Sequence, residues 1–241
     1  MEDTMTQPLP DFVSVRPSPE RPLFGQTVLV VEDSRYAGEA LRLMCLKSGA
    51  RVRRAASLGA AQRHLATYRP SVAVVDLGLP DGSGALLLRD LHAARPRVHA
   101  LLATSGDPER RDVALAAGAD TFLEKPFGSL AAFQQAVLSH LPPEARPNAP
   151  RPAPQAEVRP DADALHDDLS HAANLLSVRD TRMTGYTAAF LAGLGRSARD
   201  PVLTEAARRL ADSDGDEGRR TALAALVRDR LSRRDIASAG G

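Results

Sequence analysis

Glu32, Asp33, Asp76, Ser105 and Lys125 stand at or just beyond the ends of short apolar runs. The runs are 27–31, 72–75, 98–103 and 121–123, and each has the length and Val/Leu/Ala/Phe content of a buried strand. A polar residue at the C-terminal end of a buried strand is costly unless it has a task. In an open parallel sheet, ligands bind in the crevice beyond the carboxyl ends of the strands. These spacings therefore predict that three carboxylates, a hydroxyl and an ammonium meet at one rim. Such a set can hold a divalent cation and a phosphoryl group.

The elements that must position these residues alternate along 25–141. After the first strand, Ser34 to Ser48 reads as a helix, with Ala40, Leu41, Met44 and Cys45 at helical spacing and Gly49 as its stop. Arg51 to Ala55 is the least apolar strand candidate, as suits an edge. Leu58 to Tyr68 is a second helix, ended by Pro70. Gly84 to Ala94 is a third, closed by Pro96. Asp107-Pro108-Glu109 opens a fourth with a capping Asp and Pro at the first helical position, ending at Gly118. Gly128 to Leu141 is the last. This alternation implies an α/β fold, with right-handed crossovers and a parallel sheet covered on both faces.

The chain has 241 residues, a formal net charge of +1 and no Trp. With aromatics at 4%, the core must be built from Ala, Leu and Val, and no whole-chain field draws the protein to nucleic acid or an anionic membrane. Cys45 is the only cysteine, which excludes an internal disulfide and favours a reducing compartment. No apolar run approaches the ~20 residues of a membrane span, and the acidic start Met1-Glu2-Asp3 is unlike a signal peptide. A cytoplasmic location, with no membrane partner, is expected. Residues 1–24 read as an N-terminal arm, 25–141 as the α/β domain, and 142–160 as a Pro-rich linker. The linker carries Pro142, Pro143, Pro147, Pro150, Pro152, Pro154 and Pro160. Residues 161–241 read as a small all-α domain of four amphipathic helices. Its Ala-rich core is marginal alone, so a homodimer is a possible partner arrangement.

Several motifs of 27–140 occur in a familiar order: Val30-Val31-Glu32-Asp33-Ser34, Val74-Val75-Asp76-Leu77-Gly78-Leu79-Pro80-Asp81-Gly82, Thr104-Ser105-Gly106, and Phe122-Leu123-Glu124-Lys125-Pro126. On these residues the segment resembles the receiver domain of two-component response regulators, of the chemotaxis-regulator kind. The resemblance implies a five-stranded parallel sheet of order 2-1-3-4-5. It also implies that Asp76 accepts a phosphoryl group from a phosphohistidine on a sensor histidine kinase or histidine phosphotransfer protein. Mg²⁺ would be held by Asp33 and Asp76, by Glu32 through water, and by the main-chain oxygen of Gly78. Lys125 would pair with Asp76 and then with a phosphoryl oxygen. Ser105 is preferred over the adjacent Thr104 as the switch hydroxyl, because Gly106 follows it and lets backbone approach a phosphate. Phe122 occupies the family's rotamer-switch position, though a plain core aromatic would look the same in sequence. The family catalyses only its own phosphotransfer and slow dephosphorylation, so no enzyme activity beyond that is expected.

The function of 161–241 is open at this level. An effector or dimerisation module is the leading reading. The region has 13 Asp/Glu against 12 Arg and no Lys, so it lacks a domain-wide basic footprint for DNA. A phosphotransfer-like or scaffolding module, which would make the chain a phosphorelay intermediate or phosphate sink, is the alternative. It rests on His166-Asp167-Asp168-Leu169, with His166 bordering the apolar stripe and His171 facing away from it.

Overall fold

The computed structural model describes residues 16–148, 158, 160–178, 181–213 and 216–239. Residues 1–15 of the arm expected over 1–24, and the middle of the Pro-rich stretch, lie outside the described residues. Five strands form a parallel sheet: β1 (Thr27–Val31), β2 (Arg51–Ala55), β3 (Val72–Asp76), β4 (Ala100–Ser105) and β5 (Thr121–Glu124). Their order is β2-β1-β3-β4-β5. The helices between them are α1 (Arg35–Lys47), α2 (Leu58–Thr67), α3 (Gly84–Ala93), α4 (Arg111–Ala116) and α5 (Leu130–Leu138). Four more follow: α6 (Ala162–Ser177), α7 (Thr181–Ser197), α8 (Pro201–Ala211) and α9 (Glu217–Ala239).

The strand sequences explain the sheet. β1 and β3 are near-continuous Val and Leu, and every residue of β3 is buried. Such runs suit strands covered on both sides. One core, under α2, α3 and α4, holds Leu29, Val31, Val75, Leu88 and Leu101. The other, under α1 and α5, holds Val28, Val30, Leu41, Val74 and Phe133. Each fully buried Val or Leu contributes about 1.5–3 kcal/mol. That is the reserve against which the charged groups at the rim are desolvated. β2, with Arg51, Arg53 and Arg54 exposed, is the edge.

Register delivers the polar residues to one rim. Asp76 pairs with Thr104, and Ser105 with Glu124. Glu32 N donates to Ala55 O at 2.9 Å, and Lys125 N donates to Ser105 O at 2.9 Å, which carries the ladders one residue further. Between β3 and α3, Gly78–Leu79 pairs antiparallel with Gly82–Ser83, a small hairpin absent from the sequence reading. Gly84, which opens α3, is required by close packing: a Cβ there would lie 1.9 Å from Asp76 O.

Three elements differ from expectation. β4 runs Ala100–Ser105 rather than 98–103, so Ser105 closes the strand instead of following it. The helix expected from Asp107 starts as a 3₁₀ turn, Pro108–Arg110, before a short α4, since Asp107 caps Glu109 N at 3.0 Å and tightens that turn. Pro143–Ala145 also forms a 3₁₀ turn, with Pro at its first position as the missing N–H allows.

The α6–α9 helices bury the stripes expected of them. Leu169, Ala172, Leu176, Leu191, Leu194, Leu203, Ala207, Leu210, Leu223 and Val227 make a third core, and Tyr36 of α1 packs against it. Asp200 caps α8 by accepting from Leu203 N at 2.9 Å.

Cys45 lies wholly inside the second core, and burial pushes its thiol up to about 12. We therefore expect no alkylation by iodoacetamide at pH 8 in the native protein, and rapid reaction in denaturant. Native labelling faster than unfolding, followed by mass spectrometry, would contradict this packing.

A carboxylate cluster beneath the helical module

The residues singled out in the sequence converge. Lys125 Nζ lies 2.5 Å from Glu32 Oε2 and 3.1 Å from Asp76 Oδ1, and all three side chains are buried. Carboxylate oxygens of Glu32, Asp33 and Asp76 lie within 4.8 Å of one another. Two of the three are oriented by a local donor. Ser34 N donates to Glu32 Oε1 at 3.1 Å, and Gly78 N donates to Asp76 Oδ2 at 3.2 Å. Three acids around one ammonium leave an excess of negative charge that a divalent cation would cancel.

The electrostatics follow from burial. Desolvation pushes the Glu32 carboxyl well up, against the attraction of Lys125, with Asp76 and Asp33 adding to the rise. Asp33 is also raised, by burial first, against the hydrogen bond from Tyr186. For Lys125, burial opposes the charged form, but Asp76 and Glu32 outweigh it and hold the ammonium protonated. Like charges in a desolvated site are the conditions that a hard cation with oxygen ligands relieves.

Both candidate hydroxyls are placed. Ser105 lines the cleft but accepts from Asp107 N at 3.0 Å, so it is engaged by its own loop. Thr104, fully buried, directs Oγ1 at Asp76 Oδ1 across 3.5 Å, the outer limit of a hydrogen bond. Phe122 is buried in the first core with the Arg111 guanidinium 5.5 Å over its ring.

Two further residues reach the site from the helical module. Tyr186 of α7 donates its hydroxyl to Asp33 Oδ2 at 2.5 Å, and burial beside Asp33 raises the phenol. Asp168 of α6 sits on the N-terminus of α1, directly after Asp33. Its Oδ2 accepts from Ser34 Oγ at 2.7 Å and Tyr36 N at 3.0 Å, and its Oδ1 accepts from Arg35 N at 2.8 Å. A carboxylate there satisfies orphan N–H groups and meets the positive end of the helix dipole. Asp168 had one sequence signal: an acid three residues after Leu165, four before Ala172, on the apolar stripe. Tyr186 had none beyond sharing a helix face with Phe190. Of the two histidines considered, His171 is exposed, with its ring edge-on to Phe190 at 5.8 Å, and His166 is half-buried.

A family-model match covers the segment that holds this cluster. Residues 28–137 match the family model described as response regulator receiver domain. Escherichia coli (strain K12) KDP operon transcriptional regulatory protein KdpE is 38% identical over 101 residues, covering 42% of this chain and 45% of that one. Salmonella typhi virulence transcriptional regulatory protein PhoP is 35% identical over the same shares. The receiver domain of sensor histidine kinase PA1611 from Pseudomonas aeruginosa PAO1, solved with a magnesium ion in its active site cleft, superposes with a TM-score of 0.44 at 28% identity over 48% of this chain and 97% of that one. Residues 28–137 are thus a response regulator receiver domain. The chain spans about half the length of the curated relatives it matches (45%). Among the described residues no helix is long and apolar enough to cross a membrane.

Replacing Asp168 with Ala strips three donors of their shared acceptor. We expect a loss of about 2 kcal/mol in urea unfolding of the full chain. An unchanged midpoint would show that these bonds do not hold the module to α1.

Proposed function

We propose that the chain is a two-component response regulator. Asp76 takes a phosphoryl group from a partner's phosphohistidine with Mg²⁺ bound, and the helical module carries the response. The observation that supports this best is the Lys125–Glu32–Asp76 ion cluster, with Asp33 beside it, inside the segment that matches the receiver family. The donor set fits Mg²⁺: oxygen only, anionic, and on a rim with room for water. Asp33 and Asp76 would hold the ion, with Glu32 through water and the Gly78 main-chain oxygen as the further ligand. When bound, the ion supplies charge cancellation at the transferring phosphoryl.

The chain's own residues do the rest. Gly78 N fixes Asp76 Oδ2. The Asp76 carboxylate bonds to phosphorus as the donor's P–N bond breaks and imidazole departs. Lys125, already 3.1 Å from Asp76, shifts its pairing to a phosphoryl oxygen. Ser105, released from Asp107 N, is the hydroxyl best placed to follow, since it faces the cleft. That movement vacates space beside Phe122 and links the site to β5. Partners are a sensor histidine kinase or histidine phosphotransfer protein, in the cytoplasm, and the chain performs no turnover beyond its own phosphorylation and slow hydrolysis.

The helical module is read as a protein-level output rather than a nucleic-acid one. Among the described residues, three of the six arginines of α9 are ion-paired: Arg230 with Asp200 at 2.7 Å and Asp229 at 2.8 Å, Arg233 with Asp229 at 2.9 Å, and Arg220 with Glu217 at 2.8 Å. Arginines so paired make a poor phosphate track. A transcriptional output, as the names of KdpE and PhoP carry for those proteins, is the outcome to test against by DNA-binding titration.

Two measurements test this function. Asp76→Asn should abolish Mg²⁺-dependent, acid-labile phosphate incorporation from acetyl phosphate; full labelling of the variant would move the acceptor elsewhere. Tyr186→Phe should tighten Mg²⁺ binding about threefold to tenfold, because the hydroxyl no longer occupies Asp33 Oδ2. Weaker binding, by calorimetric titration, would mean that Tyr186 orients Asp33 for the metal instead.

A further inference from the structure

α7 lies along the cleft that holds Asp76. The cleft, of about 690 Å³, is lined from α7 by Tyr186, Ala189, Gly193 and Arg196 and from the sheet rim by Asp76 and Ser105. Tyr186 and Arg196 are ten residues apart, about 15 Å along a helix, and share one face with Ala189 and Gly193. The small residues between them leave the volume open. Tyr186 holds the metal-carboxylate end of the cleft, through Asp33.

Arg196 stands at the other end. Its guanidinium lies against Gly106, the residue after Ser105: a Cβ on Gly106 would be 2.7 Å from both Arg196 Nε and Nη2. Nε is buried and has no hydrogen-bond partner. Burial, and then the like charge of Arg208, lower the guanidinium from its ordinary value, while Asp107 and Glu124 partly oppose them. A half-buried cation beside a second cation, with one buried donor unmet, favours an anion within its reach.

We infer that Arg196 binds the phosphoryl group carried by Asp76, so that the helical module senses phosphorylation by direct contact. Charge supports this. Glu32, Asp33 and Asp76 are cancelled by Lys125 and a divalent cation. Phosphorylation replaces the single negative charge of Asp76 with about −1.5 to −2. The excess draws a further cation; Arg110 also lines the cleft near Asp76, but Arg196 is the one with an unmet buried donor, and its fork suits two phosphoryl oxygens. The grip of α7 on the receiver then passes from Tyr186 on Asp33, which the metal takes, to Arg196 on the phosphoryl group. This inference rests on the reading of Asp76 as phosphoacceptor.

The full-length chain is titrated with beryllium fluoride, a phosphoryl mimic, at saturating Mg²⁺. Binding is followed by ¹⁹F NMR, and α7 by amide hydrogen exchange. Wild type should bind the mimic and gain protection along α7. Arg196→Gln should bind about tenfold or more weakly and gain no protection there, while Arg196→Lys, keeping charge without the fork, should fall between. Arg196→Met, which keeps an apolar stem and removes the guanidinium, should also weaken binding and lose the protection, and stands in if Arg196→Gln fails to fold. Equal affinity and equal protection in wild type and the variants overturn the inference. Failure of wild type itself to bind the mimic, or undiminished binding by Asp76→Asn, brings down the phosphoacceptor reading and this inference with it.

Discussion

A buried ammonium between two buried carboxylates is the interaction on which the rest of this molecule depends. Lys125 is 6% exposed, Glu32 3% and Asp76 6%. Taking such ions out of water costs several kcal/mol each, and mutual attraction offsets that only when the geometry is held. The sheet holds it. Parallel strands in register end together, so groups separated by nearly a hundred residues of chain reach one rim. The Val- and Leu-filled cores on both faces supply the stabilisation that lets this rim remain strained in charge. Three acids with one ammonium are under-neutralised, and that imbalance is what suits the site to a cation and, in the proposed function, to a phosphoryl group.

The same rim organises the helical module. α1 begins immediately after Asp33, and its N-terminal donors are met by Ser34 and by Asp168 of α6. Tyr186 of α7 then lies on Asp33 itself. One corner of the receiver is therefore claimed by the module and, in the proposed function, by the metal as well. In that function a phosphodonor must also reach Asp76 past α7, and the module is coupled to the chemistry by occupying its site, which needs no long path through the core.

Much of this was legible in the sequence. Continuous apolar runs ending in Asp, Glu, Ser or Lys announce strands and rim together, and the convergence of Glu32, Asp33, Asp76, Ser105 and Lys125 follows; the sheet order came only with the family resemblance. Helix stripes around Leu169, Leu194, Ala207 and Val227 were also plain from their period. The hairpin at Gly78–Ser83 was not, since two-residue strands have no period to detect. Nor was the choice between Thr104 and Ser105, which turns on the direction of two hydroxyls. The docking of the module was least legible of all. Ser34 meets Asp168 across 134 positions and Asp33 meets Tyr186 across 153, and no local pattern encodes such pairings. Asp168 was visible only as an acid on an apolar stripe, and in sequence it looked like part of a phosphoacceptor motif.

The most direct test of the central geometry is anomalous diffraction from crystals soaked in Mn²⁺, a stand-in for Mg²⁺ with a detectable signal. The account predicts one ion at the rim, about 2.1–2.2 Å from oxygens of Asp33 and Asp76, with Lys125 still beside Asp76. An ion bound elsewhere, with Asp33 and Asp76 sharing no ligand, would contradict it.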